Sequence, residues 1–169
     1  ETAAAAAELN CIVKNNGYRF LCGVHGLRMI FDALSDNGYT ETVYKAVTNP
    51  KFPGYAYCVK KGLTSLPERF DFEISREGTD SLNHHFRSPV DVWFYKYLAG
   101  IRIEGFGYGN ITISPQFVNG ISELHAAMHG INVSYNEKKV SVSSLYDFSY
   151  SADGKTQLCK AGNYVFNRV

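Results

Sequence analysis

Glu68 stands directly after Pro67 in the stretch Gly62-Leu63-Thr64-Ser65-Leu66-Pro67-Glu68-Arg69-Phe70-Asp71, an irregular segment between helix-like runs. The proline fixes the local backbone and keeps the glutamate out of a regular helix. Loops at the mouths of helical scaffolds often carry catalytic groups. A carboxylate so placed is a candidate catalytic group. The bland alternative is a solvated ion-pair cluster of Glu68, Arg69 and Asp71, because surface carboxylates greatly outnumber catalytic ones.

A second cluster, Asp80-Ser81-Leu82-Asn83-His84-His85-Phe86, precedes a helix-like run. Adjacent histidines in a regular element face different sides, so one of the pair at most reaches a given site. A metal centre needs a third ligand at suitable spacing, and the sequence offers none nearby. Asn83 with His84 suits hydrogen bonding to a hydroxylated ligand; the alternative is that these side chains cap the helix that follows. Trp93 lies at core spacing and is expected to pack rather than to form a sugar platform. His125 and His129 receive no role.

These residues need a scaffold, and the apolar spacing supplies one that changes character near residue 100. Before it the period is helical. The Ala3–Ala7 run with Leu9, Ile12 and Val13 closes at Asn15-Asn16-Gly17, and Leu27, Ile30, Phe31 and Leu34 form a stripe stopped at Asn37-Gly38. Thr40-Glu41 opens a third helix with Val43, Tyr44 and Val47 inward, and Tyr55–Lys61 is a short fourth ending at Gly62. Ser88–Ala99 is expected to be one helix, with Ser88 as N-cap, Pro89 first, and Val90, Trp93, Phe94, Tyr97 and Leu98 on one face. After Gly100 the period drops to two. Strands are expected at Ile111–Ile113, Ile131–Tyr135, Val140–Val142, around Leu158 and over Tyr164–Phe166, with turns at Asn136-Glu137-Lys138 and Ala152-Asp153-Gly154. The Gly-rich stretch Gly105–Gly109 is the best candidate hinge. Helices first and strands afterwards exclude a βαβ unit and predict separate layers or domains, an α+β chain in two parts.

Composition narrows the function. Seventeen basic against sixteen acidic residues leave a net charge of +1, which argues against a dedicated nucleic-acid or anionic-membrane binder. No apolar run approaches the roughly 20 residues of a membrane span. Twelve Tyr and eleven Phe suit contact with sugar rings, although most aromatics serve the core. Cys11, Cys22, Cys58 and Cys159 form no CxxC pair, so redox and metal spacings are absent and all four are expected to be small core residues. The chain opens on Glu1-Thr2 and an alanine run without signal-peptide features, and is expected to be a fragment of a longer protein.

The ordered set Phe20-Leu21, Leu34-Ser35-Asp36-Asn37-Gly38-Tyr39, Phe52-Pro53-Gly54-Tyr55-Ala56-Tyr57, Gly62–Glu68, Ser81-Leu82-Asn83-His84-His85 and Trp93–Ile101 closely resembles bacterial α-L-rhamnosidases of glycoside hydrolase family 78. Ile111–Pro115 and Lys160–Phe166 are similar to that family's C-terminal β-domain, so the resemblance covers essentially the whole chain. It implies the last helices of a catalytic (α/α)6 toroid over residues 1–100, six-hairpin glycosidase-like and incomplete, and a small antiparallel β-sandwich over residues 101–169. It implies hydrolysis of terminal α-L-rhamnosyl linkages with inversion, without a cofactor or metal. Glu68 falls on the general base and His84 on a histidine that contacts rhamnose; Asn83 and Phe70 complete the expected sugar contacts. Many members carry Trp immediately before the glutamate and again two residues after it, where this chain has Pro67 and Phe70.

Inverting hydrolysis needs two carboxyl groups about 6.5–9.5 Å apart. The family's general acid lies upstream of the matched segments, and Asp71, three residues from Glu68, is too local to span a sugar ring. The chain alone is therefore expected to be inactive, with the remainder of the parent enzyme and a rhamnose-containing glycoside or polysaccharide as its partners. The resemblance points to a periplasmic or secreted parent without fixing the compartment. Two other readings stand beside it: a non-catalytic carbohydrate-binding β-sandwich module, marked by exposed aromatics in a groove of residues 101–169, and a structural or interaction fragment without sugar affinity.

Overall fold

A computed structural model describes residues 2–70 and 81–168. The chain divides into two compact units, Glu1–Trp93 and Phe94–Val169. Among the described residues no helix is long and apolar enough to cross a membrane.

The first unit is helical: α1 (Thr2–Asn15), α2 (Val24–Ser35), α3 (Thr40–Val47), α4 (Tyr55–Lys60), a 3₁₀ turn (His85–Arg87) and α5 (Pro89–Trp93). The stripe foreseen on α2 is its buried face, with Leu27, Ile30, Phe31, Leu34 and Ser35 inside. Gly38 ends α2 in the left-handed region, φ 82°, and lets the Tyr39 N–H turn back to the Leu34 carbonyl at 2.9 Å. On α3 the inward face is Val43, Ala46 and Val47 with Thr40 and Thr42, while Tyr44 is only half-buried. Buried Asn10 of α1 meets Thr42 there, the threonine hydroxyl donating to Asn10 Oδ1 at 2.7 Å. Aromatic rings gather around Phe31: Phe20 edge-on at 5.4 Å, Trp93 at 6.1 Å and Tyr55 at 6.2 Å. Trp93 is a core residue, its indole N–H donating to Ser35 Oγ at 2.8 Å.

The helix expected over Ser88–Ala99 changes pitch after Trp93, where Phe94–Leu98 form a π turn marked by the Ala99 N–H donating to the Phe94 carbonyl at 2.9 Å. The wider turn moves Phe94 off the buried face and keeps Tyr97 and Leu98 on it. It also leaves the Tyr97 carbonyl to accept from the Gln116 N–H at 2.9 Å. Ser88 differs from expectation too, because its hydroxyl donates back to the His85 carbonyl.

The second unit is a two-sheet sandwich of β1 (Ile101–Glu104), β2 (Asn110–Ile113), β3 (Leu124–Met128), β4 (Ile131–Tyr135), β5 (Lys139–Ser144), β6 (Phe148–Ala152), β7 (Lys155–Cys159) and β8 (Gly162–Asn167). The sheet orders are β1-β2-β6-β7 and β3-β4-β5-β8, antiparallel throughout except for the parallel β2–β6 pair. Alternation places Ile111 and Ile113 of one sheet and Ile131, Val133, Val140 and Val142 of the other in one core, with Phe148 and Tyr150. The Asn136 turn forms as foreseen: its side-chain oxygen accepts from the Lys138 and Lys139 N–H groups.

Three strands escape the sequence reading, β1, β3 and β6. Gly105–Gly109 is not a hinge between units but the loop joining the paired strands β1 and β2. Two of the four cysteines are buried as expected, Cys58 and Cys159; Cys22 is half-buried and Cys11 exposed, because Cys11 lies on the outer face of α1, where the buried positions are Ala6, Asn10 and Val13.

Candidate active site

Glu68 is positioned by two chain segments that clasp each other within the helical unit. Its backbone N–H donates to the Ser81 carbonyl at 2.7 Å, and two residues before it the Leu66 carbonyl accepts the His84 N–H at 2.7 Å. The Ser81 N–H donates in turn to Glu68 Oε2 at 3.3 Å. Ser65 joins the clasp through a hydroxyl bond to the Leu82 carbonyl. Pro67 is buried beneath this pairing, and the Glu68 side chain is 43% exposed. The structure thereby brings the two clusters of the sequence analysis together: His84 Nδ1 lies 4.0 Å from Glu68 Oε2. That gap exceeds a hydrogen bond, so a water or a ligand hydroxyl can be shared by carboxylate and imidazole.

The remaining candidates distribute around this pair. Asn83 is exposed, its backbone N–H held by Ser81 Oγ at 3.2 Å. His85 is exposed and packs on Phe86, with ring centroids 4.1 Å apart; His84 reaches the same ring at 5.3 Å and stacks on His85 at 6.1 Å, so the two histidines share surroundings instead of facing different sides. His84 precedes the 3₁₀ turn and makes no side-chain capping bond there. Phe70 is buried, its ring edge-on to Tyr55 at 5.3 Å, and with Arg69 it lines an open groove of about 300 Å³ whose walls include Phe20, Leu21, Phe52 and Pro53. Asp71 and Asp80 lie outside the described residues.

Arg87, Tyr55 and Ser81 are part of this arrangement although the sequence analysis assigns them nothing. Arg87 is buried and donates from Nε (3.0 Å) and Nη2 (2.8 Å) to the Glu68 carbonyl, with its guanidinium carbon 4.2 Å from the centre of the Phe70 ring. Tyr55 donates its hydroxyl to the Arg87 carbonyl at 2.9 Å. Burial pushes the Tyr55 phenol far above its ordinary range against the opposing pull of the Arg87 guanidinium, so the hydroxyl remains a donor. The one sequence hint was spacing: Arg87 stands three residues before Val90 and six before Trp93, both inward-facing positions.

Comparison with known proteins identifies the family. Residues 1–98 match the family described as bacterial alpha-L-rhamnosidase 6 hairpin glycosidase domain. An alpha-L-rhamnosidase of Formosa agariphila is 34% identical over 120 residues, 69% of this chain and 13% of that protein. An alpha-L-rhamnosidase of Streptomyces avermitilis is 29% identical over 136 residues, 75% of this chain and 13% of that protein. The chain thus spans about an eighth of the length of these relatives. Among solved structures, the Streptomyces avermitilis alpha-L-rhamnosidase complexed with L-rhamnose superposes with a TM-score of 0.85 at 21% identity, over 99% of this chain and 20% of that one. The native enzyme of Aspergillus terreus gives 0.86 at 18% identity, over 98% of this chain and 21% of that one, and at such identity both likenesses speak for the fold. The match over residues 1–98, more than half of the chain, makes it a member of the bacterial α-L-rhamnosidase six-hairpin glycosidase family.

Proposed function

We propose that this chain is the base-bearing part of an inverting α-L-rhamnosidase, with residues 1–100 contributing the last helices of the catalytic toroid and residues 101–169 a C-terminal β-sandwich domain. Glu68 is the general base. It takes a proton from a water, whose oxygen attacks the anomeric carbon from the face opposite the leaving group. The glycosidic C–O bond breaks as the leaving oxygen takes a proton from an acid that the rest of the enzyme supplies. His84 and Asn83 hydrogen-bond sugar hydroxyls, and Phe70 backs the sugar from the groove beside them. The substrate is a terminal α-L-rhamnosyl glycoside. The observation that supports this reading best is the partly exposed Glu68 carboxylate, fixed at its backbone and set 4.0 Å from the His84 ring.

The test is steady-state kinetics of the full-length enzyme on an aryl α-L-rhamnoside. Glu68→Gln lowers kcat by about 10²–10⁴-fold with rhamnose affinity nearly unchanged, since removing a base costs rate rather than ground-state contacts. His84→Ala acts mainly on KM, because a hydrogen bond to a sugar hydroxyl exists before and during reaction. A Glu68→Gln enzyme that keeps more than about a tenth of wild-type activity, well above what loss of a base allows, would falsify the assignment.

A further inference from the structure

We infer that Arg87 is a positioning residue for the base, and that it acts through the main chain rather than by touching substrate; this rests on the reading of Glu68 as the base. A guanidinium 5% exposed needs partners to offset its lost hydration. One such partner is the backbone oxygen of Glu68, which accepts from both Nε at 3.0 Å and Nη2 at 2.8 Å. Two donors of a rigid planar fork converging on one carbonyl restrain the direction of that peptide as well as its distance. The amide on the other side of Glu68 is held by Ser81 at 2.7 Å, so the residue is pinned at both ends of its main chain. Its side chain has much less support, a 3.3 Å bond from the Ser81 N–H. The aim of the carboxylate therefore depends on the backbone, and the backbone depends on Arg87.

Arg87 is itself fixed. Its plane lies over Phe70, two residues beyond Glu68, and its carbonyl is held by the Tyr55 hydroxyl. A lysine could bring the charge and rotatable donors, but neither the rigid planar fork nor a flat face for Phe70. An ångström of misplacement at a reacting group can cost about 10²-fold in rate.

The experiment is a set of variants in the full-length enzyme: Arg87→Lys, Arg87→Ala with and without added guanidinium, Tyr55→Phe, Glu68→Gln, and Arg87→Lys combined with Glu68→Gln. Arg87→Lys is expected to lower kcat about 10–10²-fold at nearly constant KM. Tyr55→Phe, which deletes a single hydroxyl and keeps the ring, lowers kcat less and serves where the arginine variants fold poorly. Guanidinium restores part of kcat to Arg87→Ala. In the Glu68→Gln background, Arg87→Lys no longer changes the residual rate, because there is no base left to aim. Wild-type kcat in Arg87→Lys or Tyr55→Phe overturns the inference, as does an equal loss with and without Glu68, which marks a general structural role. If Glu68→Gln itself keeps wild-type activity, the base assignment falls and the inference with it; an inactive Glu68→Gln beside a normal Arg87→Lys sinks the inference alone.

Discussion

The two units bury different chemistry. Among the described residues the helical unit buries Asn10, Ser35, Thr40, Thr42 and Arg87 along with its aromatics, whereas the sheet unit buries only Ser144 of its polar and charged side chains. Several of the helical groups have a specific partner: Thr42 on Asn10, Trp93 on Ser35, Arg87 on the Glu68 carbonyl. The sheet unit relies on alternation, with Ile, Val and aromatic side chains of two sheets meeting in one core. A core of hydrogen-bonded polar groups specifies position sharply and is sensitive to the loss of one partner. An aliphatic core tolerates rearrangement but not voids. The candidate site lies in the unit of the first kind.

The costliest single substitution lies at a backbone contact of the sheet unit. Gly100 has φ 72°, and a Cβ there would stand 2.1 Å from the Ser114 carbonyl carbon and 2.2 Å from the Pro115 nitrogen. No flexible side chain is available to yield, so Gly100→Ala is expected to cost more than about 4 kcal/mol, in the exceptional range for one substitution. Denaturant unfolding followed by far-ultraviolet dichroism measures it. Near-normal stability would mean that the chain relaxes around Ser114 and that close approach does not fix this region.

Next in size is a void in the aliphatic core. Ile113 is fully buried in β2, and Ile113→Ala is expected to cost about 2–5 kcal/mol through lost burial and a partly collapsed cavity. Trp93, the only tryptophan, reports on the helical unit by its fluorescence. A dichroism midpoint that moves while the fluorescence midpoint stays put is the expected signature.

In the helical unit the matching test is polar. Thr42→Val keeps the shape and removes the donor to Asn10 Oδ1, and a buried acceptor that loses its partner costs about 1–3 kcal/mol. Replacing both residues, Asn10→Leu with Thr42→Val, is expected to recover much of that loss, because no buried polar atom is then left waiting. If the double variant is as unstable as the sum of the singles, the pair is not coupled and the contrast between the units weakens.

Legibility in the sequence cut across the two units. The apolar stripe of α2 and the alternation of β4 and β5 could be read directly, since the same residues repeat at the period of the element. β3 could not, because His125-Ala126-Ala127-Met128 has helical rather than strand propensity and becomes a strand through pairing with β4. The turn between them hides as well: His129 and Gly130 both take positive φ, 49° and 79°, in a two-residue hairpin loop where Asn-Gly is the usual signal. In the site, residue type and order singled out Glu68 and His84 as candidates, and the resemblance gave them their expected roles. Arg87 was not, because its contact with the Glu68 carbonyl arises from the meeting of two segments nineteen residues apart, and an arginine beside a helix reads as surface.

The smallest effect belongs to an exposed pair in the sheet unit, and it sets the contrast with buried Arg87. Asp147 accepts from Lys160 Nζ at 2.8 Å and from the Ala161 N–H at 3.0 Å. The lysine hydrogen bond, then the backbone N–H, hold its carboxyl below the ordinary range, and the Asp147 carboxylate holds Lys160 above its own. A carboxylate with a depressed folded value stabilises fully above the ordinary aspartate value, about 3.9, and loses that contribution as pH falls through the lower folded value. The lysine contributes fully below about 10.4 and loses its share as pH rises through the raised one. The pair therefore adds a low plateau between those limits. Asp147→Asn is expected to flatten part of the decline in melting temperature between about pH 5 and pH 2, while shifting the neutral value only slightly. Because both groups lie in water, the difference between variant and wild type should shrink as salt shortens the Debye length to about 8 Å at 0.15 M and below. Melts followed by sheet dichroism at two salt concentrations decide it. An acid limb identical in variant and wild type would show that Asp147 has the same affinity for its proton folded and unfolded, and that this contact contributes nothing to the stability of the sandwich.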